Sequence, residues 1–212
     1  MNSIQPPKQN DSFAALRRFV RPRGVVLEHC DMCNAELAAE HQHLIDPLSR
    51  QLICACQPCA ILFDNPGETK YKSVPRRIRY LSDFRLTDAQ WNNLRIPIQL
   101  AFFFNSTVNE RIVALYPGPV GATESLLSFE SWSEMAAENP ILEKMEADVE
   151  ALLVNRVGNT RDYYIVPIDE CYKLVGLIRT HWSGLSGGTE VWREIAEFYD
   201  KLKERSTEIK NA

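Results

Sequence analysis

The sequence predicts an α+β protein, in which a small N-terminal zinc-ribbon-like metal module precedes a mixed α+β body. Five of the six cysteines fall between Cys30 and Cys59, which indicates a compact metal site. Predicted strands and helices mix after residue 70 without a regular βαβ repeat. Hydrophobic residues make up 45% and charged residues 25% of the chain. These ordinary globular values exclude a wholly disordered chain, a collagen-like chain and a coiled-coil rod.

The sequence divides into three predicted parts. Residues 1–24 form a mobile tail with a short helix over 13–20, residues 25–65 form the four-cysteine zinc-ribbon-like module, and residues 70–205 form the α+β domain. The N-terminus has no apolar core of a secretory signal, and no run reaches the ~18 apolar residues of a membrane helix. We therefore expect a cytoplasmic protein without a membrane anchor. In a reducing cytoplasm, clustered cysteines are more often metal ligands or redox thiols than disulfides.

The elements follow in order. In the metal module, residues 43–54 predict a hairpin around the Asp46-Pro47 turn. In the body we expect strands over 72–80, 100–104, 111–116 and 163–167, and a helix passing into a strand over 146–157. We also expect four helices in the body. The first begins at Thr87 with a capping box, and the second covers 132–138. The third is capped by Asp169, and the fourth covers 189–203. The glycine pair before the last helix predicts a tight turn between two helices.

Two C-x-x-C pairs, Cys30/Cys33 and Cys56/Cys59, carry the strongest functional signal. Two intervening residues let the chain turn so that both sulfurs face one ion, and the hairpin brings the second pair to the same point. This spacing is typical of a four-thiolate structural zinc site. The metal would supply folding energy to a module too small for a core of its own.

Three other interpretations of the cysteines stay open. A single iron in the same geometry would make a rubredoxin-like electron carrier, but such sites usually have glycine after each pair, where Asn34 and Ala60 stand here. A four-iron cluster is possible because Cys54 offers a fifth thiolate. Metal-free thiols could instead do redox chemistry. Zinc is the favoured cofactor and iron the alternative.

Other polar residues near the cluster receive structural interpretations. Cys54 shares a strand face with Cys56, and we expect either a spare ligand or, slightly favoured, a small buried side chain. His29, His41 and His43 could each replace a thiolate, but four cysteines already fill a tetrahedron, so all three are left out of the site. Residues 40–43 are expected to lie beside the site or on the surface. Cys171, early in a helix, is expected to be buried and inert.

The formal net charge of −4 argues against non-specific nucleic-acid binding, which depends on neutralising phosphates. The short basic run Arg76–Arg79 leaves such binding open, although a solvated strand edge explains it better. The sequence contains no paired carboxylates, nucleophile elbow or metalloprotease helix. We therefore predict no catalytic residue, and only Cys171 stays open as an alternative.

Several segments together resemble a known family. They are the cysteine and histidine run of residues 30–63, Ala151-Leu152-Leu153-Val154-Asn155-Arg156 with the following 164–172, and His181-Trp182-Ser183-Gly184-Leu185-Ser186-Gly187-Gly188 with Val191-Trp192. This pattern resembles an uncharacterised bacterial family encoded beside actinobacterial-type, oxygen-tolerant nickel–iron hydrogenases. The resemblance covers about residues 25–199. It implies a role in assembling, maturing or serving such a hydrogenase.

Three functional hypotheses follow from these features. The first is a non-enzymatic accessory factor whose zinc site holds the N-terminal module while the protein binds a hydrogenase subunit or precursor. The second is a rubredoxin-like iron protein that carries electrons for the same system. The third is an enzyme that acts through Cys171.

Overall fold

The computed structural model describes residues 27–63, 70–126, 128–184 and 186–210. The predicted tail and short helix over 1–24 therefore lie outside the described residues, as do positions 64–65 of the predicted metal module. The described residues form two β-sheets and five α-helices, which confirms the mixed α+β class.

The smaller sheet contains the hairpin of the cysteine region, by which we mean residues 27–63 with both cysteine pairs. Its strands are β1 (Gln42–Asp46), β2 (Gln51–Ala55) and β3 (Lys72–Ser73), and β1 lies in the centre. Strands β1 and β2 pair antiparallel from Asp46 opposite Gln51, which confirms the predicted hairpin. The Asp46 carboxylate accepts bonds from the Leu48 amide and the Ser49 hydroxyl, so it shapes the turn that Pro47 opens. Helix α1 (Gln57–Phe63) begins two residues after β2.

The larger sheet has seven strands and forms the body. Its order is β10-β4-β9-β8-β5-β6-β7, and all neighbours are antiparallel except β10 and β4. The strands are β4 (Arg79–Leu81), β5 (Leu100–Ser106), β6 (Arg111–Gly118), β7 (Gly121–Ser125), β8 (Glu150–Asn155), β9 (Asp162–Pro167) and β10 (Thr207–Ile209).

Helices cover both faces of this sheet. Helix α2 (Asp88–Asn93), helix α3 (Phe129–Glu138) and a 3₁₀ turn (Pro140–Lys144) pack on one face. Helices α4 (Ile168–His181) and α5 (Gly188–Glu204) pack on the other. Successive strand residues point to opposite faces, so Phe102 enters the core beneath α4 and α5 while Phe103 enters the core beneath α3. A sheet buried on both faces explains the unbroken apolar runs inside its central strands, such as residues 100–104 of β5 and 151–154 of β8.

Three local predictions are wrong in informative ways. Residues 72–80 form two short strands in different sheets, because Pro75 cannot donate to a ladder. Residues 146–149 form no helix, and Asp148 has φ +70° there while its carboxylate accepts the Thr107 amide. Asp169 lies inside the first turn of α4 because the helix begins directly after Pro167. Its carboxylate is therefore available to other partners.

The hairpin packs against the body on the α4 face. Ile45 of β1 is 1% exposed and belongs to the same apolar core as Phe102 and Leu174. The Nδ1 atom of His43 lies 2.8 Å from Oδ2 of Asp169 on α4. The cysteine region is therefore held next to the start of α4. Within the described ranges, no helix combines the length and apolarity needed to cross a membrane.

Candidate metal centre

The first cysteine pair lies on a tight turn that precedes β1. The Asn34 amide donates to the carbonyl of Cys30 at 2.8 Å, and the Cys30 amide donates to the carbonyl of Ala35 at 2.8 Å. Asn34 has φ +61°, a left-handed conformation that asparagine tolerates better than most residues. Asn34 therefore adopts the backbone conformation that glycine adopts after the cysteine pairs of rubredoxin-like sites. The absence of glycine at this position is thus no argument against iron.

The second pair lies at the start of α1. Cys56 directly precedes the helix, Cys59 lies in its first turn, and the Ala60 amide donates to the Cys56 carbonyl at 2.9 Å. Asp31 joins the two pairs: its carboxylate accepts the Cys54 amide at 2.7 Å, and its amide donates to the Cys54 carbonyl at 2.9 Å. The hairpin and this clamp bring the turn and the helix start together.

The four predicted cysteines converge on one point. The Sγ atoms of Cys30, Cys33, Cys56 and Cys59 all lie within 4.8 Å of one another. The Sγ atoms of Cys33 and Cys56 are 3.6 Å apart. A tetrahedral ion with sulfur–metal bonds of about 2.3 Å needs sulfurs about 3.8 Å apart, so this arrangement fits a metal ion. Zinc and iron both accept such a donor set.

The charges of the free thiols also point to a cation. Burial raises the pKa of Cys30, but the backbone amides of Cys56, Cys33 and Met32 outweigh burial and lower that pKa to about 6. The bond to Cys56, then burial and the other thiols, raise the pKa of Cys59 to about 12. The site therefore stabilises one thiolate strongly and resists a second one beside it. A bound divalent cation removes this repulsion and ionises its thiol ligands.

Cys54 and two histidines form a separate group beside this centre. One ligand atom from each of His41, His43 and Cys54 lies within 4.8 Å of the others. The side chains of His41 and His43 are only 7% and 18% exposed, so both are largely buried and neither is a surface side chain. Cys54 is half-buried and its sulfur is grouped with the histidines. His29 is exposed and belongs to neither group.

The other residues that the sequence singled out, Cys171 and the basic run, are buried or held in ion pairs away from the metal centre. Cys171 is fully buried, and desolvation together with Asp169 and Glu170 raises its pKa well above the usual range. This confirms a buried thiol and gives it no activated thiolate. Arg77 and Arg79 both donate to the buried carboxylate of Glu150, so most of the basic run is engaged in ion pairs.

One family model matches the chain over residues 29–206, and that family is described as one of unknown function. The match includes both cysteine pairs, the hairpin and the helices of the body. No curated protein and no solved structure matches the chain. The expectation of an uncharacterised family is therefore confirmed, while its setting beside hydrogenase genes stays a prediction. Since the match spans most of the sequence, the chain belongs to the DUF5947 family.

Proposed function

We propose that this protein is a non-enzymatic accessory factor that binds a protein partner and uses a structural zinc ion to hold its N-terminal region. The observation that carries this proposal is the closed set of Cys30, Cys33, Cys56 and Cys59. Four protein thiolates fill a tetrahedron, so the ion has no position for water or substrate. Such a site stabilises structure and does not catalyse a reaction.

Exposed apolar side chains in the metal-bearing region support a protein partner. Of the eight large apolar residues exposed in the described ranges, four lie within residues 27–63. Ile61 and Leu62 are 69% and 70% exposed on α1, the helix that carries Cys59. Adjacent exposed apolar residues are typical of protein interaction sites. The partner that the family resemblance implies is a nickel–iron hydrogenase subunit or its precursor.

The engaged arginines support a protein partner over a nucleic acid. Nucleic-acid binding needs cations that are free to reach phosphates. Arg77 and Arg79 are instead tied to Glu150, a carboxylate with no exposed surface. Two of the three arginines in the basic run are therefore engaged in ion pairs within the protein itself.

Deletion of the gene in a host that carries the hydrogenase tests this function. We expect impaired hydrogenase assembly, restored by the wild-type gene and not by Cys56→Ser, which removes a metal ligand. The double variant Ile61→Ser/Leu62→Ser should bind the metal but fail to restore assembly. Val120→Ser, at another position that is 86% exposed, should restore it fully. Normal assembly and activity in the deletion strain would contradict the proposal.

A rubredoxin-like iron site is the second candidate function. The exposure of Cys33 favours it, because electron transfer needs a ligand near the surface. Amide donors to Cys30 and Cys33 are also the kind of contact that tunes an iron–sulfur potential. Iron in the protein purified from its native host, with normal assembly but lost electron flow in the deletion strain, would favour this candidate over zinc.

A further inference from the structure

Three donor side chains outside the four-cysteine centre meet because of strand geometry. His43 of β1 lies directly opposite Cys54 of β2 in the antiparallel register. Residues two apart in an extended segment share a face, so His41 projects on the same side as His43. The two imidazole rings lie edge to face with centroids 4.8 Å apart. The result is a group of two imidazoles and one thiol, with a donor atom from each within 4.8 Å of the others.

The hydrogen bonds of the two rings leave the same nitrogen available on each. Nδ1 of His41 contacts the Ala38 carbonyl at 3.0 Å, and Nδ1 of His43 contacts the Asp169 carboxylate at 2.8 Å. A carboxylate or carbonyl on one nitrogen fixes the ring so that the other nitrogen can bind a metal. Nε2 is therefore the donor that both rings offer.

One of these donors is buried without a partner. The His41 side chain is only 7% exposed, and its Nε2 atom is inaccessible to solvent and makes no hydrogen bond. A buried polar atom without a partner lowers the stability of the fold, so such an atom indicates a partner that is bound in the functional protein. A metal ion between His41, His43 and Cys54 supplies one.

The group also opens to a cavity. A cavity of about 620 Å³ lies between the hairpin and the start of α4, and both histidines line it together with Asp169, Tyr172 and Arg76. Three protein ligands leave a fourth tetrahedral position unfilled, as in metal sites that exchange water or ligand. Because both histidines form part of the cavity wall, an ion bound between them would lie at the edge of the cavity.

We propose that His41, His43 and Cys54 form a second metal site, which binds a divalent transition-metal ion such as Zn²⁺ and leaves one coordination position open to the cavity. Asp169 is a positioning residue that orients His43. This inference goes beyond the accessory function and does not depend on it, since the closed four-cysteine centre uses none of these side chains.

Metal stoichiometry of the full-length protein tests the second site. Metal-free protein is loaded with Zn²⁺, freed of excess ion and analysed for its metal content. We expect two ions per wild-type chain and one in His41→Gln and in Cys54→Ser. His181→Gln, which changes a histidine outside both groups, should keep two ions.

Cobalt absorption and the positioning residue separate this site from a general loss of structure. With Co²⁺, the four-thiolate site should absorb more intensely in the thiolate charge-transfer region than the one-thiolate site. His41→Gln should retain the first signal, which shows that the fold persists. Asp169→Asn should lower the affinity for the second ion alone, by about 10–100-fold as measured by competition with a coloured chelator. One ion in the wild type, or a second ion that survives both His41→Gln and Cys54→Ser, overturns the proposal.

Discussion

Removal of the metal should open the cysteine region and leave the body folded. The region's own apolar cluster contains four buried side chains, those of Leu44, Ile53, Ala55 and Ala60. Burying the leucine and isoleucine stabilises it by about 1.5–3 kcal/mol each, and the alanines add less. A structural zinc site contributes about 10–16 kcal/mol to folding. The metal therefore stabilises the region more than its apolar cluster does, and chelation should unfold the turn and helix that carry the thiolates.

The cysteines themselves report this opening. Pulse alkylation followed by peptide mass spectrometry, with and without a chelator, measures the reactivity of each thiol. Cys30, Cys33, Cys56 and Cys59 should be protected with metal and react rapidly after its removal. Cys171 is the internal control, because it is fully buried in the large core beneath α4 and α5. A body stability of only about 5 kcal/mol would keep its labelling at least about a thousandfold slower.

Two outcomes would refute this reasoning. If the four cysteines reacted equally with and without chelator, no metal would protect them. If chelation made Cys171 as reactive as the other four, the metal would hold the whole chain together, and the body could not be an independently stable part.

Three further variants test the structural account. Glu150→Ala should lower the free energy of unfolding by about 3–5 kcal/mol in urea titrations, because it leaves its two arginine partners without their buried carboxylate. Gly188→Ala should lower the melting temperature, because the residue has φ +75° and an added Cβ would clash with the Ser183 hydroxyl. Gly176 lies in α4 with open space around it, so Gly176→Ala should stabilise that helix by up to about 1 kcal/mol. At the first cysteine turn, Asn34→Gly should preserve metal affinity in chelator competition while Asn34→Val weakens it; equal affinities would show that the left-handed conformation does not matter.

Local sequence signals predicted the hairpin and most helices well. Asp46-Pro47 marks a turn that the Asp46 carboxylate caps in the structure, and Thr87 with Gln90 forms the predicted capping box. The last helix was clear because Val191 and Ile195 recur at helical spacing and both are buried. These elements are set by interactions within a few residues, so the sequence alone contains them.

Elements that depend on distant partners were not predictable in this way. Strand β10 has three residues and exists because it pairs with β4, more than a hundred residues earlier. Asp169 was expected to cap a helix by its position, but tertiary contact directs its carboxylate to His43. The histidine–cysteine group had a weaker signal: His41 and His43 alternate along a strand that the hairpin places opposite Cys54. Register, which depends on the exact turn, was the missing information.

The most direct test of the central claim is X-ray absorption at the metal edge of protein purified from its native host without added metal. The double variant His41→Gln/Cys54→Ser is the appropriate sample, because it removes the proposed second site. The account predicts one zinc ion per chain with four sulfur neighbours at about 2.3 Å. A first shell containing nitrogen or oxygen, or a protein that carries no metal, would contradict it.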